Sequence, residues 1–97
     1  MHPSFIWDLE DDKDGNYYHI VTEGHGITRD EVEEVLGRYH SKASTSRSSG
    51  SPICFGWTIT GKYIAVVFEE SCDDPLMLRP ITSYESNPPG EIGRAHV

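Results

Sequence analysis

Basic residues are scarce in this chain: 8 Lys and Arg stand against 16 Asp and Glu, a net charge of −8. A protein so charged is excluded from broad, non-specific nucleic-acid binding, which depends on neutralising phosphates. Long hydrophobic runs are missing too, and no apolar stretch approaches the ~20 residues of a membrane-spanning helix. The opening MHPSFIWDLEDD has an acidic flank and neither a basic nor an apolar signal region, so it does not read as a secretion signal. The expected compartment is therefore the cytoplasm, with no membrane association. Cysteine is limited to Cys54, in an expected strand, and Cys72, in an expected turn. In a reducing compartment the pair is not expected to form a disulfide, and with no histidine at ligand spacing it makes a poor zinc set. Neither the G-x-S-x-G setting of a serine nucleophile nor the lysine and glycine spacing of a P-loop occurs.

What is present fits one domain. With 97 residues the chain has room for one core. The expected limits are 1–85, followed by a Pro/Gly-rich tail over 86–97. Its acids are segregated: residues 8–34 hold ten of them against Lys13 and Arg29, whereas residues 35–68 hold none and carry Arg38, Lys42, Arg47 and Lys62. That asymmetry predicts either a neutral-to-basic surface or simply a charge-poor sheet.

Ser4–Trp7 reads as an edge strand, and DLEDDKDG after it as a loop. Asn16–Thr22 reads as a short helix closed by Gly24 and Gly26. Thr28 and Glu31 have the spacing of a capping box, with Ile27 and Val32 at the staple positions. Val32, Val35, Leu36 and Tyr39 then form one apolar stripe, predicting a helix over 29–39 with acids in its first turns. Ala43–Arg47 is a candidate strand. Ile53–Thr60 alternates, with Ile53, Phe55, Trp57 and Ile59 on one face, and Thr60-Gly61-Lys62 turns it into Tyr63–Glu70, apolar on both faces. Cys72–Pro75 reads as a turn and Leu76–Tyr84 as a last strand, in which Pro80 calls for an edge or a bulge. The predicted class is α+β: two helices packed on a three- to four-stranded antiparallel sheet, in two layers, with the helical stripe burying the sheet's apolar face.

Several groups invite a chemical reading. Glu10-x-Asp12-x-Asp14-Gly15 has calcium-loop spacing, but the twelfth position is Val21, not a bidentate Glu, so a solvated acidic loop is expected and no metal. His25, between two glycines, can present an imidazole as general base; a helix-end histidine is the plainer reading. Arg47, among serine hydroxyls, suits a phosphate, or lies in a plain loop. Arg79 stands in an otherwise apolar strand, where a charge must be paired or on the wet face. It serves either an anion or an acid such as Glu69 or Glu70 across the sheet. Tyr84 shares its strand at odd spacing, and a bulge at Pro80 would bring both to one face.

Trp7-Asp8, His25-Gly26-Ile27-Thr28 leading into Asp30-Glu31-Val32, Gly61-Lys62, and Arg79-x-Ile81-Thr82-Ser83 occur in an order and spacing that resembles the BrnT family of bacterial type II toxins. The resemblance spans roughly Phe5 to Tyr84. It implies a RelE/ParE-like fold, a DNA-binding antitoxin as partner, and cofactor-free, metal-independent RNA cleavage on the sheet face by basic and aromatic side chains. The candidates are Arg79, with Arg47, His25 and Tyr84. Where that family ends the strand with Ala-Arg and continues into a basic helix, this chain has Ser83-Tyr84 and then ESNPPGEIGRAHV. Two functions follow: a toxin-like endoribonuclease, or a catalytically silent interaction domain on the same scaffold that binds a protein or an anion.

Overall fold

The computed structural model describes residues 3–24, 26–45, 50–73 and 76–88, with the main chain alone at 72 and 73. Its strands are β1 (Ser4–Phe5), β2 (Ser44–Thr45), β3 (Pro52–Trp57), β4 (Tyr63–Asp73) and β5 (Leu76–Glu85). A π-helical turn, Tyr18–Thr22, precedes helix α1 (Arg29–Tyr39), and a 3-10 turn, His40–Lys42, follows it. The sheet order is β1-β5-β4-β3-β2. The class is α+β, but the sheet has five strands and is mixed, because β1 runs parallel to β5 while every other pair is antiparallel. No helix among the described residues is long and apolar enough to cross a membrane.

Helix α1 starts where its cap chemistry places it. The Thr28 hydroxyl accepts from the Glu31 amide at 3.2 Å, and the Glu31 carboxylate accepts from the Thr28 amide at 2.8 Å. Val32, Val35 and Leu36 turn inward against Ile20, Ile27, Cys54, Ile64, Val66, Phe68 and Leu78. Full burial of a side chain such as Phe68 or Leu36 stabilises the fold by roughly 1.5–3 kcal/mol.

The helix takes the opposite face of β3 from the one expected. Cys54 and Gly56 face α1, while Phe55 and Trp57 point away from it. A Cβ on residue 56 would run into the Tyr39 ring, so the last turn of α1 needs the side-chain-free position. A row of bulky aromatics could not accept the helix at that spacing. Burial among these neighbours pushes the Cys54 thiol up to about 12, which keeps it protonated and inert.

Other boundaries move for local reasons. β1 stops at Phe5; Ile6 still donates to the Leu78 carbonyl at 2.9 Å, and then the chain leaves the sheet. There Asp8 and Asn16 exchange bonds, and Trp7 Nε1 donates to Glu33 at 2.7 Å. β3 ends at Trp57 because Thr58 closes the turn. Its N–H donates to the Lys62 carbonyl at 2.8 Å, and its hydroxyl accepts the Lys62 N–H at 3.0 Å. Gly61 has φ 91°, a left-handed conformation that suits glycine. Of the expected Cys72–Pro75 turn, Cys72 and Asp73 belong to β4 and pair with Met77 and Leu76, and residues 74 and 75 lie outside the described ones. Of the expected strand Ala43–Arg47, Ser44–Thr45 pair with β3, and residues 46–49 lie outside the described ones. The tail expected over 86–97 is described only as far as Pro88.

Pro80 is accommodated by geometry. Main-chain groups along a strand point alternately to its two sides. Leu78 and Pro80 point theirs toward the β1 flank, and β1 pairs only with Met77 and Leu78. No ladder bond is lost there, and the Pro80 carbonyl accepts from Asn16 Nδ2 at 2.8 Å. The register shifts by one residue between Val67↔Thr82 and Phe68↔Pro80, which leaves Ile81 as a bulge.

Candidate functional site

Two of the four expected site residues, His25 and Arg47, lie outside the described residues. Arg79 and Tyr84 are both in β5. The bulge at Ile81 puts them on the same face, since Arg79 opposes Glu69 and Tyr84 opposes Ala65. Four residues of strand still separate them, about 13 Å along the sheet, too far to hold one phosphate between them.

Arg79 is paired, and not primarily across the sheet. Its terminal nitrogens donate to both carboxylate oxygens of Asp8, at 3.1 and 2.7 Å. Glu69, the register partner on β4, adds a weaker attraction. Asp8 is held in turn by Asn16, whose amide donates to it at 2.8 Å. Asn16 is buried, and its side chain accepts from the Asp8 amide and donates to the carbonyls of Ile6 and Pro80. The Arg79 hydrogen bonds, with the Asn16 amide behind them, hold the Asp8 carboxyl below its ordinary range. These contacts join the departing N-terminal loop to β5, and the guanidinium's charge is already answered.

Beside this pair a cleft of about 440 Å³ opens between the π-helical turn and β5, lined among others by Asp14, His19, Arg79, Ile81 and Thr82. His19 Nε2 lies 3.3 Å from the Thr82 hydroxyl, and its Nδ1 lies 3.9 Å from Glu23. His19 stands six positions before His25, which fits no metal-ligand spacing, so nothing in the sequence marks it. What places it here is the π-helical turn, which periodicity does not reveal. The Glu10–Asp14 loop is organised by turn bonds: the Asp14 amide donates to the Asp12 carboxylate at 3.1 Å, and the Gly15 amide to the Asp12 carbonyl at 2.9 Å.

The third feature is the sheet face turned away from α1. Ile53, Ala65 and Val67 form a small buried cluster there with Ile81 against it. Around it stand Phe55, 37% exposed, Trp57, 49%, and Tyr84, 48%, beside Tyr63. The Phe55 and Tyr63 rings stack with centroids 6.2 Å apart, and Trp57 tilts onto Tyr63 at 5.3 Å. By register the charges that the described strands contribute to this face are Glu69 and Arg79, both at the end remote from Trp57. The sequence alternation puts Phe55 and Trp57 on the face expected to meet the helix and marks Tyr84 as a site candidate, so it does not reveal the exposed face they share.

Comparison with family models, with curated proteins and with solved structures finds no significant match for the chain.

Proposed function

We propose that the protein is a non-catalytic interaction domain on a BrnT-like, RelE/ParE-like scaffold, and that its partner, a protein, docks on the sheet face opposite α1. The observation that carries this reading is the aromatic group of exposed Phe55, Trp57 and Tyr84 with half-buried Tyr63, set around an apolar cluster where the described strands place no charge at the Trp57 end. Exposed aromatics around a desolvated centre are the composition of protein-binding hot spots. Single-stranded RNA also stacks on aromatics, but it needs cations to follow its backbone. Here the chain carries −8, and Arg79 is taken by Asp8. A helix and a run of antiparallel strands in two layers support the scaffold assignment, with β1 as an addition.

The reading is tested by placing a photo-crosslinking amino acid at Tyr84, with Leu9 as the control position, in cells of the source organism. Protein adducts at Tyr84 that vanish in the Phe55→Ala, Trp57→Ala double variant support it; adducts made of RNA sink it.

One observation favours the ribonuclease reading. Arg79, His19 and the Thr82 hydroxyl line a single cleft, so a base and a cation face one space. Cleavage of RNA without metal asks for those two groups, a base for the ribose 2′-OH and a cation for the phosphorane. For Arg79 to serve, the phosphate must displace Asp8.

A further inference from the structure

The outer flank of β3 is open where its exposed aromatics stand. Thr58 donates to Lys62, so by alternation Thr58, Gly56 and Cys54 direct their main-chain groups at β4. Trp57, Phe55 and Ile53 direct theirs to the other side. There β2 meets Ile53 through Ser44 and pairs no farther along β3. Upstream of Ser44 the chain is bent by the 3-10 turn, where the Ala43 amide donates to the His40 carbonyl at 3.3 Å. Among the described residues, the N–H and C=O groups of Phe55 and Trp57 therefore face no strand.

An edge of this kind is normally blunted by proline, charge or a bulge. Pro52 serves that purpose at the start of β3, and within Phe55–Trp57 itself there is neither proline, charge nor bulge. The charge differs between its two ends: the exposed Lys42 sits on the turn that packs against β3, whereas past Trp57 the Ile59 amide donates to Glu34 at 3.1 Å.

We infer that this edge takes an extended segment of the partner protein as a sixth strand beside β3. Its alternate side chains are apolar and land on Phe55 and Trp57, and it carries an acidic residue at the end that passes Lys42. Main-chain pairing supplies attachment, and the alternate pockets supply selectivity. The inference rests on the interaction reading and specifies how the partner attaches. A second copy of this chain fits less well. Antiparallel pairing about Gly56 would put its Ile59 beside Ile53, where Ser44 already lies.

The test selects a random heptapeptide phage library against the full chain and measures the enriched peptides, synthesised, by fluorescence anisotropy. Phe55→Pro removes an outward-facing donor and leaves the β4 ladder intact, so it should fold. Enriched peptides should alternate apolar residues and include an acid. Phe55→Pro should weaken them about tenfold more than Phe55→Ala, which keeps the amide. Should Phe55→Pro not fold, hydrogen exchange on the wild type serves instead, with the Phe55 and Trp57 amides protected only when peptide is bound. No enrichment over the no-target control overturns the edge proposal and leaves the docking face to its crosslinking test. Peptides weakened equally by Phe55→Ala and Phe55→Pro, with those amides unprotected, also overturn it, in favour of docking on the face alone. Dimerisation of the free protein that Phe55→Pro abolishes overturns it in favour of a second copy.

Discussion

Arg79 and Asp8 are 71 residues apart in sequence and share two parallel hydrogen bonds, guanidinium to carboxylate, at 3.1 and 2.7 Å. The pair fixes the loop after β1 to β5 and defines one wall of the cleft that holds His19. A bidentate arrangement resists substitution by lysine, whose ammonium offers a point charge and not a planar fork.

Arg79→Ala is accordingly expected to lower the melting temperature, and Arg79→Lys to recover only part of the loss. The double variant Asp8→Ala, Arg79→Ala should be no less stable than the worse single variant, because each single change leaves one charge unpartnered. Additive losses in a thermal-unfolding cycle would show that the two residues do not act as a unit.

Gly56→Val is expected to destabilise by about 1–3 kcal/mol, since the new side chain meets the Tyr39 ring and the helix cannot yield without moving. In a Tyr39→Ala background the same change should cost less. Denaturant midpoints of the four proteins decide it; equal costs in both backgrounds would mean that Tyr39 is not what keeps residue 56 small.

Much of this architecture was legible beforehand. Thr28, Glu31 and the Val32–Tyr39 stripe announced α1 because cap and periodicity are local signals, and the Gly61 turn announced the β3–β4 hairpin for the same reason. Which face of β3 meets the helix was not legible. Alternation gives two faces, and the larger side chains pointed to the wrong one; the choice depends on Tyr39 needing Gly56, a contact between residues 17 positions apart. The partner of Arg79 was missed likewise. Cross-strand logic proposes Glu69 or Glu70, whereas Asp8 arrives from a loop whose path is set by Asn16. His19 fits no ligand spacing, and the π-helical turn that carries it to Thr82 has no simple sequence mark.

Stability should also fall in acid through Glu31. Burial alone would raise its carboxyl, but hydrogen bonds from the Thr60 hydroxyl, the Thr28 amide and the Lys62 ammonium outweigh it and leave the group below its ordinary value of 4.5. The unfolded chain then binds the proton more readily. The contribution is whole above that ordinary value and is lost as pH falls through the lower folded one. Thr28→Ala should cost about 1 kcal/mol at neutral pH by removing the cap. Glu31→Gln should flatten the acid limb of a stability–pH curve measured by chemical denaturation. A Glu31→Gln limb as steep as the wild type's would place the acid sensitivity elsewhere.

Whether this scaffold binds without cutting is decided by incubating the purified, folded protein with single-stranded RNA in a metal chelator, alongside Arg79→Ala and His19→Ala. A non-catalytic interaction domain leaves the RNA intact in every lane, with Arg79→Ala changing only thermal stability. Cleavage by the wild type that disappears in His19→Ala and Arg79→Ala, both still folded, would contradict it and make the cleft a ribonuclease site.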